Sequence, residues 1–139
     1  AQTHGAKPWA GVDPITAAAH VVTGLQSVVS RRTNIMESPA VVSVGAIRGG
    51  IRQNIIPDSV EIIGTIRTFD DESRERVFAD VRRVAEQTAA AHGATAEVGF
   101  ESKTNVNRND PALTRRLQPS LAAVVGADNA IEMPLQTVA

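Results

Sequence analysis

The sequence predicts an α+β fold, and three observations carry that prediction. Apolar residues recur at helical spacing in two long segments, they alternate at strand spacing in three others, and the two patterns interleave in the order α-β-β-α-β. With 139 residues and 42% hydrophobic content, the chain amounts to about one domain and can build a single core.

Asp13-Pro14 opens the first helix, with Asp as N-cap and Pro at the first helical position. Ile15, Ala18, Val22, Leu25 and Val29 follow at spacings of three and four, which gives one apolar face. The helix is expected to fade around Ser30-Arg31-Arg32, where basic residues suit its negative end. Pro39 precedes a β-rich run, Ala40 to Ile47, in which Val42, Val44 and Ala46 share a face.

Gly49-Gly50 starts a hairpin tip, and Pro57 marks the entry to a second strand. Within Ser59 to Phe69, Val60, Ile62 and Ile66 fall on one face; Glu61, Ile63, Thr65 and Arg67 fall on a wetter one. Asp70-Asp71-Glu72 puts negative charge at the start of a second helix. Its expected inner stripe is Val77, Val81, Val84 and Thr88, and His92-Gly93 is its stop. Ala96, Val98 and Phe100 then alternate with Thr95, Glu97, Gly99 and Glu101, which predicts a half-buried strand. After a polar linker from Asn105, Asp110-Pro111 starts a third helix expected to run to about Val125, kinked or broken at Pro119, and to stop at Gly126.

This order is one strand short of the β-α-β-β-α-β ferredoxin-like plait, whose first strand lies in the middle of the sheet. The expectation is therefore a plait lacking its first strand, with both helices on one sheet face and the Arg67 face left free. The chain begins like the middle of a protein, just after such a strand. Residues 1–104 would form the plait, and residues 105–139 a linker and C-terminal helix.

Composition removes several function classes. A net charge of −1 without blocks of like charge disfavours nucleic acid or an anionic membrane as the main partner. The absence of cysteine removes disulfides, thiol nucleophiles and thiolate metal sites. No apolar run approaches the ~20 residues of a membrane span. Ala1-Gln2-Thr3-His4-Gly5 has neither the charged nor the apolar region of a signal peptide, so a soluble, cytoplasmic chain is expected. An RNA-binding plait is disfavoured, because the strands offer no aromatic platform and the charge is not basic.

The candidate polar groups are few. His4 sits in a loop with Gly5 and Pro8; it is either an exposed loop histidine or a donor held toward a developing oxyanion. Asn54 is an ordinary turn residue and Arg67 an ordinary solvated strand residue or a partner of Glu61. Together, however, an amide and a guanidinium suit a small carboxylate ligand. His20 is read as a boundary residue of the first helix, His92 as a helix C-terminal residue, and Trp9 as packing over the first helix. Three histidines so far apart make no recognisable metal site. Ser27, Ser30 and Ser43 have no His/Asp context for nucleophilic catalysis.

Thr3-His4-Gly5-Ala6-Lys7-Pro8-Trp9, Gly11-Val12-Asp13-Pro14, Asn54-Ile55-Ile56-Pro57-Asp58 and Gly64-Thr65-Ile66-Arg67 occur in this order. Together they resemble the dinuclear-metal aminoacylase/carboxypeptidase amidohydrolases, in the branch of hippurate hydrolase, N-acyl-amino-acid amidohydrolases and auxin-conjugate hydrolases. The resemblance covers essentially the whole chain. It implies a lid or dimerisation domain inserted into a metal-binding catalytic domain. The metal ligands, the general-base glutamate and the Glu-Asp-Phe motif that often follows have no counterpart in the chain.

By that resemblance the full enzyme uses two divalent ions, zinc or similar, to activate a water that attacks an amide carbonyl. His4 matches the lid histidine that stabilises the oxyanion in the partner subunit's site. Asn54 matches the asparagine that helps bind substrate across the dimer, and Arg67 the arginine associated with the substrate carboxylate. The implied partner is a second copy, paired through Ala40 to Ile47 and the first helix. A stand-alone ferredoxin-like regulatory or small-anion-binding module is the alternative.

Overall fold

The computed structural model describes residues 2–101 and 104–132. The chain divides into two compact units, Ala1–Ser102 and Lys103–Ala139. The first contains a two-residue strand β1 (Thr3–His4), a single 3-10 turn (Pro8–Ala10), helix α1 (Pro14–Arg32), strands β2 (Ala40–Gly49), β3 (Ile55–Ile56) and β4 (Val60–Thr68), and helix α2 (Asp71–Ala91).

The helix starts obey the capping grammar. Asp13 accepts from the backbone N–H groups of Ile15 (2.9 Å) and Thr16 (3.2 Å) and from the Thr16 hydroxyl (2.7 Å). These bonds, led by the Thr16 hydroxyl, hold its carboxyl below the ordinary aspartate range. Asp70 caps α2 through the Ser73 N–H at 2.6 Å. At the other end of α2, the His92 N–H reaches the Ala89 carbonyl, and Gly93 adopts a left-handed φ of +70° that terminates the helix.

β2 and β4 form an antiparallel two-stranded sheet from Ala40↔Thr68 to Gly49↔Val60, with a register shift between Val44 and Ala46. As expected, Val42, Val44, Ile62 and Ile66 are half-buried against the core, and Glu61, Ile63, Thr65 and Arg67 are exposed. Gly50, at φ +80°, turns the chain out of β2.

The core lies between α1, α2 and the inner sheet face, centred on Val28 at 0% exposure with Val21, Leu25, Val77, Val81 and Ala85. Two helix faces differ from expectation. α1 buries Ala17, Ala18, Val21, Leu25 and Val28, whereas Ile15 stays 47% exposed. α2 buries Ala85 and Ala89 more deeply than Val84 and Thr88. Gly24 on α1 faces Val84 and Thr88 of α2, so the helices come close at a position where α1 carries no side chain.

The strand expected over Thr95–Glu101 forms no ladder. Its alternation is nevertheless present, with Ala96, Val98 and Phe100 half-buried against the core and the residues between them exposed. Phe100 stacks on Phe78 at 4.0 Å, under the Arg82 guanidinium. In the plait, the hydrogen-bonding neighbour of this segment is the first strand, and none of the described residues supplies one.

In the second unit, α3 (Pro111–Val125) is capped by Asp110 at 2.7 Å; of the expected kink or break at Pro119, the break does not occur, and the helix continues through that residue. It ends at Gly126, as expected.

Candidate functional site

β1 positions His4. Its two pairs with β3, Thr3↔Ile56 and His4↔Ile55, are followed by a bond from the Gly5 N–H to the Asn54 carbonyl at 2.8 Å. The chain then turns through a bond from the Lys7 N–H to the His4 carbonyl, also 2.8 Å. His4 and Asn54, fifty residues apart in sequence, are therefore adjacent on one backbone scaffold. The linking ladder leaves little trace in the sequence, because two-residue strands have no period; the β-branched Thr3, Ile55 and Ile56 are its signal.

The Ala6 N–H donates to His4 Nδ1 at 3.0 Å. A neutral imidazole whose Nδ1 accepts carries its proton on Nε2, so the side chain presents an N–H donor outward. Asn54 is exposed beside it and adds an uncharged amide.

Arg67 lies on the exposed face of β4, opposite Val41 near the far end of the ladder from the hairpin tip. Glu61, its possible partner, is instead bound by Arg48 at 3.1 Å. Arg67 has no side-chain hydrogen bond or ion pair among the described residues, and none links it to His4 or Asn54. Trp9 does not pack over α1: it is 79% exposed, because the Pro8–Ala10 turn that carries it folds against β1.

The other histidines form a separate pair. The rings of His20 on α1 and His92 at the end of α2 stack at 4.5 Å. Among the described residues, no group of three or more His, Cys, Asp or Glu could hold a metal ion. No helix among the described residues is long and apolar enough to cross a membrane.

A cavity of about 60 Å³ where the C-terminal end of α1 meets the start of α2 is lined by charged groups that already bind one another. Arg32 pairs with Asp80 at 2.9 Å, and Arg76 binds Glu72 at 2.6 Å and the Ser73 hydroxyl at 2.7 Å. Ser38 donates to Asp70 and shares a bond with Ser73, which is 2% exposed. The Asp70 group is thus the cap of α2, and the Arg32–Asp80 pair ties the two helices together beside it.

The family described as the peptidase dimerisation domain matches residues 1–93. The chain is 47% identical over 94 residues to an N-acetylcysteine deacetylase of Bacillus subtilis, covering 68% of this chain and 24% of that protein. It is 39% identical over 112 residues to an N-acyl-L-amino acid amidohydrolase of Geobacillus stearothermophilus, covering 78% of this chain and 30% of that protein. A solved Bacillus subtilis structure, described as a dinuclear metal binding peptidase, superposes with a TM-score of 0.67 at 36% identity. That match covers 83% of this chain and 29% of the other. The chain thus spans 24–30% of the length of these relatives.

Proposed function

The chain belongs to the peptidase dimerisation domain family, and on that premise we propose that it serves as the lid of a metal-dependent amidohydrolase acting on N-acyl amino acids or related small amides. In this reading two copies associate through the edge strand β2 and helix α1. The lid contributes substrate-binding and oxyanion-stabilising groups across the dimer.

The observation that carries the reading is the joining of His4 to Asn54 by β1 and β3. Two uncharged donors on one scaffold suit a carbonyl oxygen that gains negative charge during attack. His4 Nε2–H would shorten its bond to that oxygen as the charge develops, and the Asn54 amide would orient the same group. Arg67, with its fork uncommitted to Glu61, would take the substrate carboxylate. All three groups are exposed, and hydrogen bonds in water contribute little net energy. Their use requires a second surface that closes over them, which a dimer and a catalytic domain would provide.

Two divalent ions, zinc by resemblance, would supply the activated water. The described residues do not fit such a site, since His20 and His92 stack on each other without a third ligand and His4 is bound through Nδ1 to its own loop. The metals and the proton-moving glutamate would belong to another domain, and the chain alone would be inactive.

In the full-length enzyme, His4→Ala should lower turnover of N-acyl amino acids by about 10²–10³-fold with metal content unchanged. Unchanged turnover would overturn the oxyanion role.

A further inference from the structure

One residue between His4 and Asn54 has no side chain, and its position allows none without displacement. A Cβ on Gly5 would lie 3.3 Å from both the carbonyl carbon and oxygen of Asn54 and 3.4 Å from its Cα. These are backbone atoms, which cannot rotate aside as the end of a side chain can. The φ of Gly5 lies outside the left-handed region, so the requirement is for space and not for an unusual backbone angle.

We propose that Gly5 is a positioning residue that sets the spacing between His4 and Asn54, so that both donors converge on one carbonyl oxygen of the substrate. The proposal rests on the reading of His4 as an oxyanion donor and deepens it. One register pair and two hydrogen bonds around Gly5 support it. The His4↔Ile55 pair precedes it, its own N–H reaches the Asn54 carbonyl at 2.8 Å, and the next N–H, from Ala6, holds His4 Nδ1 at 3.0 Å. The same short turn thereby fixes the separation of the two groups and the tautomer of one. β1 and β3 share only two pairs, so the Gly5 bond is a third rung of a very short ladder. An alanine would keep the N–H donor but push the Asn54 backbone away by a few tenths of an ångström.

The test is a double-substitution cycle in the full-length enzyme. Gly5→Ala should lower kcat about tenfold or more, with KM changed less than about twofold, because misplacement costs orientation more than binding. In a His4→Ala background the same substitution should change kcat by less than about twofold. Full kcat in Gly5→Ala, or an equal loss in both backgrounds, overturns the proposal. Loss of turnover in His4→Ala with no effect of Gly5→Ala sinks the positioning role alone, whereas an active His4→Ala sinks the oxyanion reading beneath it. Hydrogen exchange on the unsubstituted chain provides a check independent of folding defects. The Gly5 amide should be protected and the His4 imidazole should show the Nε2–H tautomer by nitrogen NMR; a freely exchanging amide or the Nδ1–H tautomer refutes the geometry.

Discussion

Arg67 shows how a single residue changes meaning once its neighbours are placed. In sequence it could have been the partner of Glu61, but Arg48 takes that carboxylate at 3.1 Å and leaves Arg67 without a described partner. A guanidinium held on a strand and not bound internally is suited to a ligand carboxylate. In the full-length enzyme, Arg67→Ala should raise KM roughly ten- to hundred-fold for substrates with a free carboxylate, the loss of a charge-assisted pair worth ~1.5–3 kcal/mol. An equal effect on carboxylate-free amides would count against that role. His4, Asn54 and Arg67, the residues of the proposed site, stand out in the sequence through their flanking motifs. Residue types alone suggest Asn54 with Arg67; the backbone adds that His4 lies next to Asn54. That junction depends on a long-range ladder of two residues, too short to leave a pattern.

At the scale of elements, helix starts were the most legible feature, because Asp13, Asp70 and Asp110 each cap through local bonds. The Asp70 cap makes a testable claim about pH. Hydrogen bonds from the Ser38 hydroxyl, then the Ser73 N–H and hydroxyl, lower its pKa to about 2. A carboxyl with a depressed folded-state pKa stabilises the fold fully above its ordinary unfolded value. That contribution fades as pH falls from there through about 2. Melting curves of the chain and of Asp70→Asn should therefore differ at pH 7 and converge toward pH 2; a gap independent of pH would exclude the carboxylate as the cause. Helix faces were less legible. Ile15 outweighs Ala17 and Gly24 on any hydrophobic count, yet Ala17 is buried and Gly24 lies at the contact with α2, since small residues allow the close approach. The strand over Thr95–Glu101 was legible as alternation, but a ladder also needs a neighbour, which a strand's own residues do not encode.

For the whole molecule, the dimer is the property on which the proposed site depends. Sedimentation of the full-length enzyme should show a dimer, and dilution to the monomer should abolish turnover together with the dimer signal. A fully active monomer would contradict a site assembled from two copies. The two-stranded sheet also has a physical consequence apart from chemistry. Both β2 and β4 expose an unpaired edge among the described residues, and neither is guarded by an interior proline or by an inward-pointing charge. Such edges are templates for any extended peptide, including the one at Thr95–Glu101 of another copy. Colloidal behaviour should follow: as concentration rises, the isolated chain should pass from discrete species to strand-paired aggregates, at a threshold set by how completely its edges are covered.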